Sequence, residues 1–138
     1  MNISARVANK RGEHTVVLTT NGREHALEIA PKVEGFGSSV NGGELWFLAM
    51  ATCYCNDVYR EGARRDIVVE SVEVEVSGEF GGEGEAADNI SYRARVAAKA
   101  PKEQILELMR DTDSVAEIQN SLRRATPVVL TQCEAEER

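Results

Sequence analysis

Asn41-Gly42-Gly43-Glu44-Leu45-Trp46-Phe47-Leu48-Ala49-Met50-Ala51-Thr52-Cys53-Tyr54-Cys55 is the stretch on which the fold turns. From Leu45 onward every residue but Thr52 is apolar. The length of the run, its Ala and Met content and a stop at Gly62 predict a helix rather than a strand. Asn41 stands three residues before Glu44, the spacing of an N-cap with a capping-box acid. A helix apolar on all sides must be enclosed on all sides. One chain of 138 residues has little else to enclose it with. Sheet is expected to cover one side and a second subunit the other.

The flanking segments supply that sheet. Ile3, Ala5 and Val7 alternate with Asn2, Ser4 and Arg6, the period-two pattern of a half-buried strand. After the turn Lys10-Arg11-Gly12-Glu13, residues 14–20 are rich in β-branched side chains. Asn21-Gly22 then predicts a tight hairpin, because both residues tolerate positive φ. Residues 23–29 return as a third strand, which Pro31 ends. Beyond the helix, Val72, Val74 and Val76 alternate with Glu73 and Glu75. Ile90, Tyr92, Ala94 and Val96 alternate with Ser91, Arg93 and Arg95, so the Glu and Arg rows predict cross-strand charge pairs. Residues 78–88 read as the exposed connection between these strands. Pro101 opens a helix to about Arg110, and Ser114 with Glu117 predicts a capping box for a second short helix with Val115, Ile118 and Leu122 inward. Residues 126–132 read as a last strand. The expected class is α+β, in the order β-β-β-α-β-β-α-α-β with a buried central helix, as one domain over residues 1–138.

Composition narrows the function classes. Sixteen Lys and Arg against twenty-three Asp and Glu give a formal charge of −7, which argues against a nonspecific grip on nucleic acid or anionic membrane. Seven aromatic residues make a poor base-stacking surface. No apolar run approaches the roughly 20 residues of a membrane span. Three cysteines, an odd number and too few for a disulfide scaffold, point to free thiols in a reducing, cytoplasmic setting.

Among candidate reactive groups, Cys53 and Cys55 lie about 200° apart around a helix, so they cannot pair or clamp one metal together. Each reads either as a small buried apolar residue or as a thiolate activated by a neighbouring cation. Cys133 reads as an ordinary thiol. His14 and His25 fall on paired strands but lack a third ligand, so no metal is expected. No phosphate-binding loop, dinucleotide fingerprint or nucleophile elbow is present, so no cofactor is expected.

Asn41-Gly42-Gly43-Glu44-Leu45, followed by an apolar helix through Ala51-Thr52-Cys53, resembles the central motif of the OsmC/Ohr family (osmotically inducible protein C and organic hydroperoxide resistance proteins). The element order resembles that family's fold over nearly the whole chain. The resemblance implies an interlocked homodimer around buried central helices and thiol-dependent reduction of organic hydroperoxides. Cys53 then matches the reacting cysteine and Arg11 the arginine that favours its anion. The family's N-P-E-x-L places Gly43 where catalytic members carry Glu. Glu44, one residue on and about 100° further round the helix, is the remaining candidate acid as well as a cap. The family's second cysteine, in C-P-x-S-x, falls on Ala116. The resemblance therefore implies weak or lost peroxidase activity, by one cysteine and an external thiol reductant. The alternative is a noncatalytic homodimeric module that holds a small hydrophobic ligand against Trp46, Phe47 and Met50. A structural or regulatory domain acting through its acidic surface is a third reading.

Overall fold

The computed structural model describes residues 1–138, in two compact units, Met1–Trp46 and Phe47–Arg138. In the first, β1 (Ile3–Lys10), β2 (Glu13–Thr20) and β3 (Arg23–Ala26) form an antiparallel sheet in the order β1-β2-β3. Asn21 and Gly22 both take positive φ, 48° and 78°, as a two-residue hairpin of matching twist requires. β3 is shorter than the expected 23–29. It stops at Ala26, although Leu27 N still donates to Val16 O at 3.4 Å. Asn9 then fastens the following loop, accepting from Gly37 N at 2.9 Å and donating to Gly37 O at 3.2 Å. Gly37 has φ 99°, backbone that favours glycine. Val16 is the one buried residue of this unit.

Helix α1 (Gly42–Arg64) opens with the expected capping box, Asn41 N donating to Glu44 Oε2 at 2.8 Å and Glu44 N to Asn41 Oδ1 at 2.9 Å. Within the second unit, α1 is followed by β4 (Val68–Phe80), β5 (Ala87–Lys99), α2 (Lys102–Val115) and α3 (Glu117–Arg123). β4 and β5 form an antiparallel arm in which Glu73 faces Arg95 and Glu75 faces Arg93. Arg93 reaches Glu75 at 2.6 Å on the exposed side. The opposite side packs Val72, Val74, Tyr92, Ala94 and Val96 against a core of Tyr54, Val58 and Leu108. The arm is longer than expected, because Gly78 and Glu79 are strand residues beside a register shift. α1 buries Met50, Tyr54, Asp57, Val58 and Gly62, while Leu48 is 58% exposed in the single chain. No helix is long and apolar enough to cross a membrane.

Three local expectations need correction. Residues 126–132 form no strand, and Val128, Val129 and Leu130 are exposed. Pro127 has no N–H to donate, and a lone strand has no ladder to join. The element order is therefore β-β-β-α-β-β-α-α. The Ser114 capping box does not form either: α2 continues past Arg110 to Val115, and Ser114 Oγ bonds back to Asp111 O at 2.6 Å. Around α3 the buried side chains are Ala116 and Gln119, whereas Val115, Ile118 and Leu122 are exposed.

Gly62 marks a tight exit from α1, where Ile67 N donates to Gly62 O at 2.9 Å. A Cβ at this position would lie 2.8 Å from Val69 Cγ2 and 3.3 Å from Ile67 O. Alanine favours a helix by about 1 kcal/mol over glycine, but overpacking against a stiff β-branched neighbour costs about 1–3 kcal/mol. Gly62→Ala is therefore expected to lower the urea midpoint. A midpoint equal to or above that of the unchanged protein would contradict this packing.

Candidate functional site

Cys53 lies on α1, and one turn later the same helix face carries Asp57. The Cys53 thiol donates to Asp57 Oδ2 at 3.7 Å and meets Glu117 Oε2, from the start of α3, at 3.8 Å. Arg60 completes the cluster, with Nη1 2.8 Å from Asp57 Oδ1 and 3.3 Å from Glu117 Oε1. Its Nε donates to Glu61 Oε1 at 3.0 Å. Asp57 is buried and Cys53 half-buried, whereas the Glu117 side chain is exposed, so water screens the Glu117 charge more than that of Asp57.

That setting favours the neutral thiol. Burial pushes the Cys53 thiol above its ordinary value, the Asp57 and Glu117 charges add to the rise, and backbone N–H groups of Ile118 and Glu117 partly offset it. Burial also raises the Asp57 carboxyl, as does its neighbour Glu117, against the pull of Arg60. Glu117 is lowered, first by a backbone hydrogen bond and further by Arg60. The ligand atoms of Cys53, Asp57 and Glu117 lie within 4.8 Å of one another, close enough for a cation. Both carboxylates, however, already have a positive partner in Arg60.

The other residues singled out from sequence have distinct surroundings. Arg11 sits in the β1–β2 turn with its guanidinium 5.3 Å from the centroid of the Phe36 ring. Glu44 is held in the capping box, and Gly43 lies in the first turn of α1. Phe47 packs on Phe80 with ring centroids 5.9 Å apart. Met50 is buried, and its carbonyl accepts from Gln119 Nε2 at 3.0 Å. Trp46 is half-buried on the first turns of α1. Ala116 is fully buried, directly before Glu117. Cys55 lines a shallow surface depression with Ala51, Thr52, Asn56 and Val74, and Cys133 is exposed; all three thiols are free. His14 and His25 are not opposed, since His25 faces Leu18, four positions along β2.

Asp57, Arg60 and Glu117 were not singled out as site residues from sequence. A local signal existed for two of them: Asp57 and Arg60 follow Cys53 at intervals of four and three, which puts all three on one helix face. Glu117 read only as a cap. Nothing local reveals that a residue 64 positions away reaches the same thiol.

A second polar cluster lies further along α2. Tyr92 Oη donates to Asp113 Oδ1, which Arg123 Nη2 also approaches at 2.7 Å. Tyr54 packs edge-on to Tyr92, with centroids 5.0 Å apart, and donates to Met109 O at 2.8 Å. Burial and the Asp113 charge push Tyr54 up to about 12, and Tyr92 is also raised, first by burial. Both phenols are therefore structural donors at neutral pH.

A family model described as "OsmC-like protein" matches residues 35–131. Comparison with curated protein sequences gives no match. Among solved structures, an OsmC-like protein of unknown function from Vibrio cholerae O1 biovar eltor is 17% identical, with TM-score 0.59 over 88% of this chain and 93% of that one. An organic hydroperoxide resistance protein OsmC from Legionella pneumophila, described as a predicted redox protein, is 19% identical, with TM-score 0.57 over 89% and 90%. A putative organic hydroperoxide resistance protein from Vibrio cholerae O1 biovar eltor, with captopril in one of its active sites, is 20% identical, with TM-score 0.54 over 89% and 85%. At these identities the structural likeness speaks for the fold.

Proposed function

The chain belongs to the OsmC-like family, and from that premise we propose a homodimer in which Cys53 reduces organic hydroperoxides slowly, as a single-cysteine site recharged by an external thiol. The observation that carries this reading is the place of Cys53, half-buried on α1 within the stretch the family model matches, with Asp57 and Glu117 beside its sulfur and Arg60 joined to both carboxylates. Attack by the thiolate on the distal peroxide oxygen breaks the O–O bond, oxidises the sulfur to a sulfenic acid and, with one proton, releases an alcohol. Two equivalents of external thiol then return the sulfenic acid to the thiol, with loss of water and formation of a disulfide between the reductant molecules. With alanine at 116, the neighbouring stretch of α3 supplies no second cysteine to capture the intermediate.

The raised thiol is the reason that slow turnover is expected. At neutral pH little of Cys53 is thiolate, and that fraction grows about tenfold per pH unit until the thiol pKa is passed. Cumene hydroperoxide turnover is therefore expected to depend on Cys53, to need an added thiol and to rise steeply from pH 7 to 9. Cys53→Ser should remove it. Absence of turnover with and without added dithiol would sink the enzyme reading and leave the noncatalytic module, with Trp46, Phe47 and Met50 as the residues to test for ligand contact.

The homodimer rests on unspent apolar surface. Leu48 on α1 is exposed in the single chain, as are Val128, Val129 and Leu130 in the tail and Ile3 and Val7 on β1. The buried core cluster is only Tyr54, Val58 and Leu108, so covering such surface would add apolar burial that the single chain lacks.

A further inference from the structure

Asp57 and Glu117 are each shared in the same way: one oxygen faces Cys53 and the other faces Arg60. Asp57 turns Oδ2 to the sulfur at 3.7 Å and Oδ1 to the guanidinium at 2.8 Å. Glu117 turns Oε2 to the sulfur at 3.8 Å and Oε1 to the same Nη1 at 3.3 Å. The guanidinium is itself held in place, because Arg60 Nε donates to Glu61 Oε1 at 3.0 Å, an oxygen that Arg64 also reaches at 2.8 Å. We propose that Arg60 is the positioning residue of the Cys53 site, orienting both carboxylates about the thiol and offsetting their negative charge beside it. This deepens the reading of Cys53 as the reacting group and rests on it.

The argument is one of local charge. The groups gathered around Cys53 are Asp57 and Arg60 on α1, Glu117 on α3 and, through Arg60, Glu61. Ionising the thiol beside two carboxylates concentrates three negative charges, and a like charge disfavours each further one. Arg60 touches both carboxylates, so its loss leaves that repulsion uncompensated and frees the carboxylates to turn. A positioning role also differs from a merely structural one. It acts on the acidity of one sulfur, and a lysine, which keeps the charge but not the planar fork, should restore part of it.

Site-resolved iodoacetamide labelling of the full chain across pH 6 to 10 tests this, with Cys55 and Cys133 of the same molecule as internal references. Arg60→Gln is expected to move the Cys53 labelling midpoint to higher pH and to slow labelling at pH 8 by at least about threefold, as half a pKa unit implies. Arg60→Lys should recover much of that rate. Glu117→Gln removes one negative charge at an exposed carboxylate, and should move the midpoint to lower pH even if Arg60→Gln folds poorly. An unmoved midpoint in Arg60→Gln, no recovery in Arg60→Lys, or a midpoint in Glu117→Gln that fails to fall would each overturn the proposal. Labelling needs no peroxide chemistry. Shifted midpoints without cumene hydroperoxide turnover would therefore uphold Arg60 and sink the peroxidase reading, whereas turnover with unmoved midpoints would do the reverse.

Discussion

Leu108→Ala is expected to lose about 3 kcal/mol of stability, within the range for truncating a fully buried leucine. Leu108 is fully buried on α2 and packs with Tyr54 and Val58 of α1. Its Cδ2 would lie 3.6 Å from a Cβ at Gly62, so the side chain fills the corner where α1 turns back toward β4. The hole has little prospect of closing. Tyr54 is tied to Met109 O, and Thr112 Oγ1 to Leu108 O at 2.7 Å, which holds both walls in place. Against a typical margin of about 5–15 kcal/mol, this is a large fraction for one side chain. The melting temperature should fall by roughly 10 °C, measured at matched protein concentration so that any association affects both proteins alike. Val33→Ala, at a fully exposed position, serves as the control and should leave it unchanged. A Leu108→Ala protein that melts with the control would mean that the core lies elsewhere.

Leu48→Arg is expected to break the proposed dimer while leaving each chain's own core in place. Leu48 is on α1 but outside its buried stripe of Met50, Tyr54, Asp57 and Val58. In the single chain an arginine there meets water. In a two-fold assembly that covers this side of α1, the change is made twice in one interface. Burying an unpaired guanidinium costs several kcal/mol per copy, on top of the lost leucine contact. Two such penalties should weaken association by more than about 100-fold. Sedimentation velocity across micromolar concentrations would read this directly. A variant that sediments as the unchanged protein does would remove Leu48 from any subunit contact.

What could be read in advance was local. The Asn41–Glu44 box, the Asn21-Gly22 turn and the facing Glu and Arg rows of β4 and β5 each depend on residues a few positions apart or joined by one hairpin. The fold class followed from them. Elements decided by tertiary packing were misplaced: α2 ran through the expected Ser114 cap, and residues 126–132 had the residues of a strand without an edge to join. The site shows the same division. Cys53 stood out through the motif around it. The groups gathered around it did not, because Arg60 and Glu117 meet only when α3 folds back on α1, and an arginine among many carries no mark of its place.

The seating of Phe47 against Gly78 has a consequence for how freely this sequence can drift. The β4–β5 arm is two strands of 13 residues. A Cβ at Gly78 would come within 2.7 Å of Phe47 Cζ and 3.2 Å of Ile90 Cγ1. The arm is thus a cantilever held at a point where glycine lets the Phe47 ring approach the backbone closely. A side chain at 78 would require the tip of the Phe47 ring and Ile90 to shift, and where they cannot yield the arm itself moves, by more toward its tip. Beyond this point, the turn between the strands is exposed and can change in length or charge with little effect on the rest. Relatives of this chain are thus expected to keep glycine at 78 while the residues of the tip vary.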